Sequence, residues 1–324
     1  MNSVDADITD CRYAILSGGV GGAKLALGLY LEQSSEELLV IGNVGDDFSH
    51  WGLHISPDLD TLMYTLAGVA DPDRGWGRAQ ESWTVLNTLS DLGGIDWFRL
   101  GDRDLAVHLE RSVRMGEGET LSAVTRHLCR AFGVTATLVP PTDDEVRTII
   151  DTTDRTLSFQ EYFVRERCEP PVTGLRYQGA SQATLLPEIG RLLAGDRLEA
   201  VILSPSNPYL SLDPILEIAD LRHRLAASPA PVVAVSPLIQ SHAFKGPTAK
   251  IMMELGCAVS TLTVAQHYAD ILDGIVIDPA DRELSGAIED LGIKVRITDT
   301  DMANERDKRL LATEVISFSE TIAG

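Results

Sequence analysis

Short apolar runs alternate with longer amphipathic stretches through most of this chain, and that rhythm predicts the fold. Residues 13–17 (Tyr-Ala-Ile-Leu-Ser) read as a buried strand closed by glycines, residues 23–32 as a helix with Leu25 and Leu29 on one face, and residues 37–42 as a second apolar strand. Strand, turn, helix and strand within about 30 residues open a doubly wound parallel sheet. Helical periodicity then dominates over 58–69, 80–92, 105–115 and 121–132. Short apolar runs at 136–139, 146–151, 156–159 and 174–178 predict a small, partly antiparallel sub-sheet, with a hairpin loop at 152–155. The α/β rhythm resumes with strands at 200–204, 231–236, 274–278 and 294–297. Helices are expected at 212–226, 246–255, 265–272, 281–291 and 303–318. The expected architecture is a single α/β domain over 1–324: a mainly parallel, Rossmann-like sheet, a helical insertion at about 58–132 and the sub-sheet at about 135–180.

Composition narrows the partners. The 27 Lys and Arg against 48 Asp and Glu leave a net charge of −21, which argues against a nucleic-acid backbone as ligand. It leaves room for a nucleotide, because a glycine-rich turn and a metal hold phosphates against a negative background. Cys11, Cys129, Cys168 and Cys257 have no metal-ligand or redox spacing. The acidic start lacks a signal-peptide pattern, and no apolar run approaches the ~20 residues of a membrane span, so a cytoplasmic protein without membrane contact is expected.

Two stretches carry candidate chemistry. Gly18, Gly19, Val20, Gly21 and Gly22 sit between a strand and a helix, followed by Lys24. Glycine there permits positive φ or close backbone approach, and the N–H groups of a helix start favour an anion. Lys24 would neutralise phosphate or simply be solvated. The turn matches neither the P-loop nor the dinucleotide fingerprint. The second stretch places Asp46, Asp47, Asp58 and Asp60 within 15 residues after the second strand. Adjacent acids at a strand's C-terminal end repel unless donors or a cation compensate, and magnesium suits oxygen ligands plus phosphates. Asp58 follows Pro57 in a helix's first turn and serves equally as a dipole partner there; Asp60 points to a different side.

Further along, Ser204-Pro-Ser-Asn-Pro208 and Ser236-Pro237 end strands in rigid polar loops, suited to a base or ribose, or to tight turns alone. Lys245-Gly-Pro-Thr-Ala-Lys250 is a second candidate anion contact through Gly246. Gly101-Asp-Arg-Asp104 is either a structural Arg–carboxylate pair or part of a site, and Arg99 before it could reach a ligand. The four tryptophans, all between 51 and 97, read as core packing or as partners for a flat ring.

In this order, residues 15–24, Asn43-Val-Gly-Asp-Asp47, Ser56-Pro-Asp-Leu-Asp-Thr61, Asp71-Pro-Asp-Arg-Gly-Trp-Gly77, Leu100-Gly-Asp-Arg-Asp104, Phe159-Gln-Glu-Tyr162, Pro205-Ser-Asn-Pro208 and Ser236-Pro237 resemble the 2-phospho-L-lactate transferase family of coenzyme F420 biosynthesis. The resemblance runs to about residue 300. It implies a magnesium-dependent transferase that moves a phosphorylated three-carbon acid (lactyl, enolpyruvyl or glyceryl) from its guanosine diphosphate (GDP) conjugate to the deazaflavin Fo, releasing GMP. It implies a homodimer by family analogy.

Carried onto this sequence, the resemblance makes Gly18, Gly19, Val20, Gly21, Gly22 and Lys24 the phosphate cradle. Ser204, Ser206, Asn207, Ser236 and Gly246 become nucleotide contacts. Asp46, Asp47 and Asp60 become metal ligands, Asp60 and Asp47 catalytic acids, and Asp60 and Arg99 contacts to Fo. Arg99 stands where archaeal members have lysine, so the charge is kept but not the geometry. On this view Asp60→Asn cuts turnover far more than it harms folding. The alternative is the related UDP-sugar-binding regulatory family, which lacks transferase activity. There a Gly-Gly-Ser-Ser-type stretch follows the paired acids, whereas Phe48-Ser-His-Trp51 follows here.

Overall fold

The computed structural model describes residues 8–240, 242–243 and 246–324. Its strands are β1 (Tyr13–Ser17), β2 (Leu38–Gly42), β3 (Phe48–His50), β4 (Leu53–Ile55), β5 (Thr137–Val139), β6 (Arg147–Thr152), β7 (Thr156–Ser158), β8 (Val172–Gln178), β9 (Ala200–Leu203), β10 (Val232–Val235), β11 (Leu238–Ile239), β12 (His242–Ala243), β13 (Gly274–Ile277) and β14 (Lys294–Ile297). The apolar runs do what the pattern predicts. Every residue of β1, β2, β9, β10 and β13 is buried, as expected of parallel strands covered on both faces. Seven strands form one parallel sheet in the order β14-β13-β10-β9-β1-β2-β5. The order reverses between β1 and β9, since β1 leads outward to β2 and β9 leads the other way to β10. Ligand crevices of open α/β sheets lie outside the strand ends at such a point.

The first five helices are α1 (Gly19–Glu32), α2 (Pro57–Leu66), α3 (Thr84–Asp91), α4 (Asp102–Gly116) and α5 (Leu121–Ala131). Helices α2 to α5 fill the stretch between β4 and β5, and α1 packs on α2 and on the final helix, Glu305–Ala323. Among the described residues no helix is long and apolar enough to cross a membrane.

Several expectations are corrected. The strand at 137–139 does not belong to the sub-sheet; it pairs in parallel with β2 at the main sheet's edge. The remaining sub-sheet is fully antiparallel, in the order β7-β6-β8. Helix α1 starts at Gly19 rather than Ala23, so the glycines form its first turn. The helix expected over 212–226 is broken into a π-turn at Pro208–Leu212 and helices at Asp213–Leu216 and Leu221–Ala226. Prolines at 208 and 214 start the first two pieces, where a missing N–H costs nothing. The β3–β4 hairpin was not anticipated: Trp51 and Gly52 turn it with φ of 52° and 77°, the left-handed pair a two-residue hairpin demands.

Candidate active site

At the switch point the glycine-rich turn meets the loop after β9. Ser206 Oγ donates to Gly18 O (2.6 Å) and shares a hydrogen bond with Ser204 Oγ (2.7 Å). A Cβ at Gly21 would stand 2.6 Å from Pro205 O, and one at Gly22 would collide with the Ser17, Ser204 and Ser206 hydroxyls. These glycines therefore let α1 press directly onto the loop. Gly18, Gly19, Val20, Gly21, Lys24, Ser206 and Asn207 line one cavity of about 830 Å³, which Gly246 also lines. The Lys24 ammonium donates to Met302 O (2.9 Å).

Gly22 and Ser204 lie beneath this wall rather than on it, and Ser204 is buried. Asn207 Oδ1 accepts from the Tyr209 and Leu210 N–H groups, while its Nδ2 has no partner among the described residues. Ser236 is turned inward, bonded to both the N–H and the carbonyl of Leu238 and to Thr261. Its hydroxyl closes a turn outside the cavity lining, while the adjacent Pro237 lines the cavity. Lys245 lies outside the described residues.

The four acids divide differently from the sequence expectation. Asp58 sits in the first turn of α2, yet its carboxylate caps the neighbouring α1, accepting from Gly19 N at 2.7 Å. Its other oxygen accepts from Asn43 Nδ2 (3.0 Å), which also donates to Asp46 Oδ1 (3.1 Å). One amide thus bridges two buried carboxylates on the cavity wall. Burial, reinforced by the Asp47 charge, pushes the Asp58 carboxyl up to about 6. Burial, with the Asp58 and Asp47 charges added, pushes Asp46 well above its ordinary value. Asp47 itself does not reach the cavity. It is held from behind by Ser56 Oγ (2.7 Å) and His54 Nε2 (3.0 Å).

Asp60 faces the cavity's far end but is already engaged. Both its oxygens accept from the buried Arg111 guanidinium. Arg111 also donates to His108 Nδ1 (3.1 Å), which leaves the neutral imidazole's proton on Nε2. That nitrogen lies 3.3 Å from Asp104 Oδ1, and Asp104 accepts from Tyr64 OH (2.7 Å). Asp104, His108 and Arg111 are spaced four and three apart on one face of α4. That spacing is the sequence signal that could have found them. Asp102 instead caps α3, accepting from Ser82 Oγ and the N–H groups of Thr84 and Val85, which hold its pKa down at about 2. Arg103 forms no ion pair among the described residues, so of the two readings of this turn the structural Arg–carboxylate pair is not found. Asp46, Asp47 and Asp60 do not converge either: among the described residues no three His, Cys, Asp or Glu side chains group as a metal site. Asp46 and Asp58 remain as two underneutralised carboxylates, a donor set suited to a hard cation completed by phosphate oxygens.

Part of the cavity lining is aromatic. Trp97 and Phe98 line it, braced by Phe48 and His50 of the β3–β4 hairpin. Phe159 and Phe163 line it from the sub-sheet side, stacked at 5.3 Å. Arg99 stands at the mouth with its guanidinium 4.6 Å from the Trp83 ring centroid. The start of α1, an acid pair and a group of aromatic side chains thus share one cavity.

Residues 14–316 match the family model described as 2-phospho-L-lactate transferase CofD. The chain is 37% identical over 318 residues to a phosphoenolpyruvate transferase of Kitasatospora aureofaciens, covering 96% of this chain and 98% of the relative. It is 40% identical over 299 residues to a phosphoenolpyruvate transferase of Thermobifida fusca, covering 88% and 90%. A 2-phospho-L-lactate transferase of Methanosarcina mazei is 36% identical over 302 residues, covering 93% and 98%. A crystal structure of a UPF0052 family member from Bacillus halodurans superposes with a TM-score of 0.56 over 90% of this chain and 93% of that one, at 13% identity, a likeness of fold alone.

Proposed function

The chain belongs to the 2-phospho-L-lactate transferase family, and we propose that it transfers a phosphorylated three-carbon acid from a GDP conjugate to the deazaflavin Fo, releasing GMP, in coenzyme F420 biosynthesis. The observation that carries this reading is the single cavity lined by the α1 start, two acids and a group of aromatic side chains. The bacterial relatives' name, phosphoenolpyruvate transferase, supports the enolpyruvyl conjugate as the donor. Nothing in the site favours the UDP-sugar-binding alternative, and the relatives bear transferase names.

In this reading the donor diphosphate lies along the start of α1, with guanosine against the loop of Ser206 and Asn207. Asp46 and Asp58 would hold magnesium, in place of the set Asp46, Asp47 and Asp60; the ion, when bound, neutralises the diphosphate. The Fo ring lies against Trp97, Phe98, Phe159 and Phe163, within reach of Arg99. The Fo hydroxyl oxygen forms a bond to the β-phosphorus, and the bond from that phosphorus to the bridging oxygen breaks. GMP leaves with the bridging oxygen. The hydroxyl proton passes to Asp46 Oδ2, the loosest-held oxygen of the pair, with a 3.5 Å contact to Gln160. Asp60, paired with Arg111, shapes the acceptor end without taking the proton. The remaining work is positioning and charge neutralisation.

Incubation with Fo, magnesium ion and each of the three GDP conjugates tests the proposal. GMP and an F420-0-type product are expected with the enolpyruvyl donor; no product with any donor would sink it. A cytoplasmic homodimer belongs to the same reading and is checked by light scattering on the purified protein.

A further inference from the structure

Three arginines line the cavity: Arg74, Arg99 and Arg167. Arg74 is paired with Asp71, and both Arg74 and Arg99 lie over tryptophan rings. Arg167 is exposed and has neither an acidic nor an aromatic partner among the described residues. Its backbone is left-handed, with φ of 51°, and so is that of Cys168, with φ of 58°. The pair ends the π-turn Glu161–Arg165, where Glu166 N donates to Glu161 O (2.8 Å) and Cys168 N to Tyr162 O (2.9 Å). Glycine adopts such a conformation freely, whereas an L side chain is strained in it. Strain of this kind, retained by a charged side chain at a cavity, points to function.

The location says which function. The segment begins at Gln160, whose Nε2 contacts Asp46 O (3.3 Å) beside the acid pair, and it runs along the cavity wall to Arg167. Resting on the transfer reaction above, we propose that Arg167 binds the carboxylate of the three-carbon acid on the donor. That acid is esterified to the β-phosphate. Once the diphosphate lies between the start of α1 and the acid pair, the carboxylate projects toward this wall. A guanidinium fork matches a carboxylate with two parallel hydrogen bonds. Arg167 thereby selects conjugates by their acid group, separately from the nucleotide contacts.

Calorimetry tests this with the enolpyruvyl-GDP conjugate and the ethyl ester of GDP, which lacks the carboxylate. Wild type is expected to bind the acid conjugate about 10- to 100-fold more tightly, the range of a charge-assisted hydrogen bond. Arg167→Leu should abolish that preference and leave the ethyl ester's affinity unchanged. Arg167→Gly should do the same while raising the melting temperature, because it relieves the backbone. The proposal is overturned by a wild type without preference, by an Arg167→Leu protein that keeps it, or by equal weakening of both ligands. The outcomes separate the two readings. An Arg167-dependent preference without transfer to Fo refutes the reaction and keeps the carboxylate contact. Transfer with an unchanged preference in Arg167→Leu refutes the contact alone.

Discussion

Asp58→Asn should stabilise the ligand-free protein at neutral pH while removing transfer activity. The Asp58 carboxyl is raised from 3.8 to about 6 in the fold, mainly by burial. The folded state thus binds the proton more tightly than the unfolded chain. The stability this contributes is complete below pH 3.8 and is lost as the pH rises through about 6. Ionised Asp58 therefore costs about 3 kcal/mol at pH 7.5. Asparagine avoids that cost and keeps an acceptor for Gly19 N–H, but it sets Nδ2 against Asn43 Nδ2 and loses that hydrogen bond, about 1 kcal/mol. The net gain at pH 7.5 is about 2 kcal/mol, or roughly 3 °C in melting temperature for 324 residues. At pH 4 only about 0.5 kcal/mol of the wild-type penalty remains, and the variant should be the less stable by about 0.5 kcal/mol. Urea unfolding of both proteins at pH 4 and 7.5, without divalent ions, checks the sign reversal. Comparing variant with wild type cancels titrations that do not feel Asp58, such as that of His50, whose pKa burial lowers; it does not cancel that of Asp46, which the Asp58 charge raises and the variant relieves, adding to the gain at pH 7.5. A variant less stable at both pH values, or a gap independent of pH, refutes the argument. Magnesium with GDP should then stabilise wild type more than the variant.

The Asp60–Arg111 pair carries the opposite expectation. Arg111→Met strands a buried carboxylate and Asp60→Asn strands a buried guanidinium, so each should cost about 3–5 kcal/mol. A double substitution, Asp60→Leu with Arg111→Met, should recover most of that in denaturant unfolding; single variants near wild-type stability would show that the pair is not buried. The sequence alone suggested that Asp60→Asn would spare folding, and the ion pair reverses that expectation. Gly21→Ala places a methyl 2.6 Å from the backbone carbonyl oxygen of Pro205, which cannot swing aside as a side chain could. It should cost about 1–3 kcal/mol and weaken GDP binding measured by calorimetry; unchanged GDP affinity would remove the α1 start from the phosphate site.

The parallel sheet was legible because buried strands write themselves as continuous apolar runs, and β1, β2, β9, β10 and β13 all do so. What failed was partner choice for short strands. Three residues at 137–139 carry no sign of which neighbour they will join, and their proximity to β6 in sequence suggested the wrong sheet. The two Ser-Pro loops look alike in sequence but place their serines differently. Both end parallel strands, and Ser206 faces the switch point between β1 and β9, whereas Ser236 ends the neighbouring β10 and bonds within its own turn while Pro237 reaches the cavity. Strand order decides which loop meets a ligand, and strand order is not local information.

The acids make the same point about chemistry. Helical spacing correctly predicts that Asp58 and Asp60 face different sides of α2, but not what each side meets. Asp58 meets Gly19, 39 positions back, and Asp60 meets Arg111, 51 positions on. A carboxylate beside helix N–H groups and a second carboxylate stays underneutralised and can recruit a cation. One clasped by a buried guanidinium is already neutralised and can mainly position its neighbours. On the reading proposed here, the motif Pro57-Asp-Leu-Asp60 contains a ligand-seeking Asp58 and a structural Asp60, the reverse of the order that the resemblance implies. The assignment depends on which long-range partner each acid finds, so pH-dependent stability of Asp58→Asn and the double-mutant cycle at Asp60–Arg111 test it independently of any transfer assay.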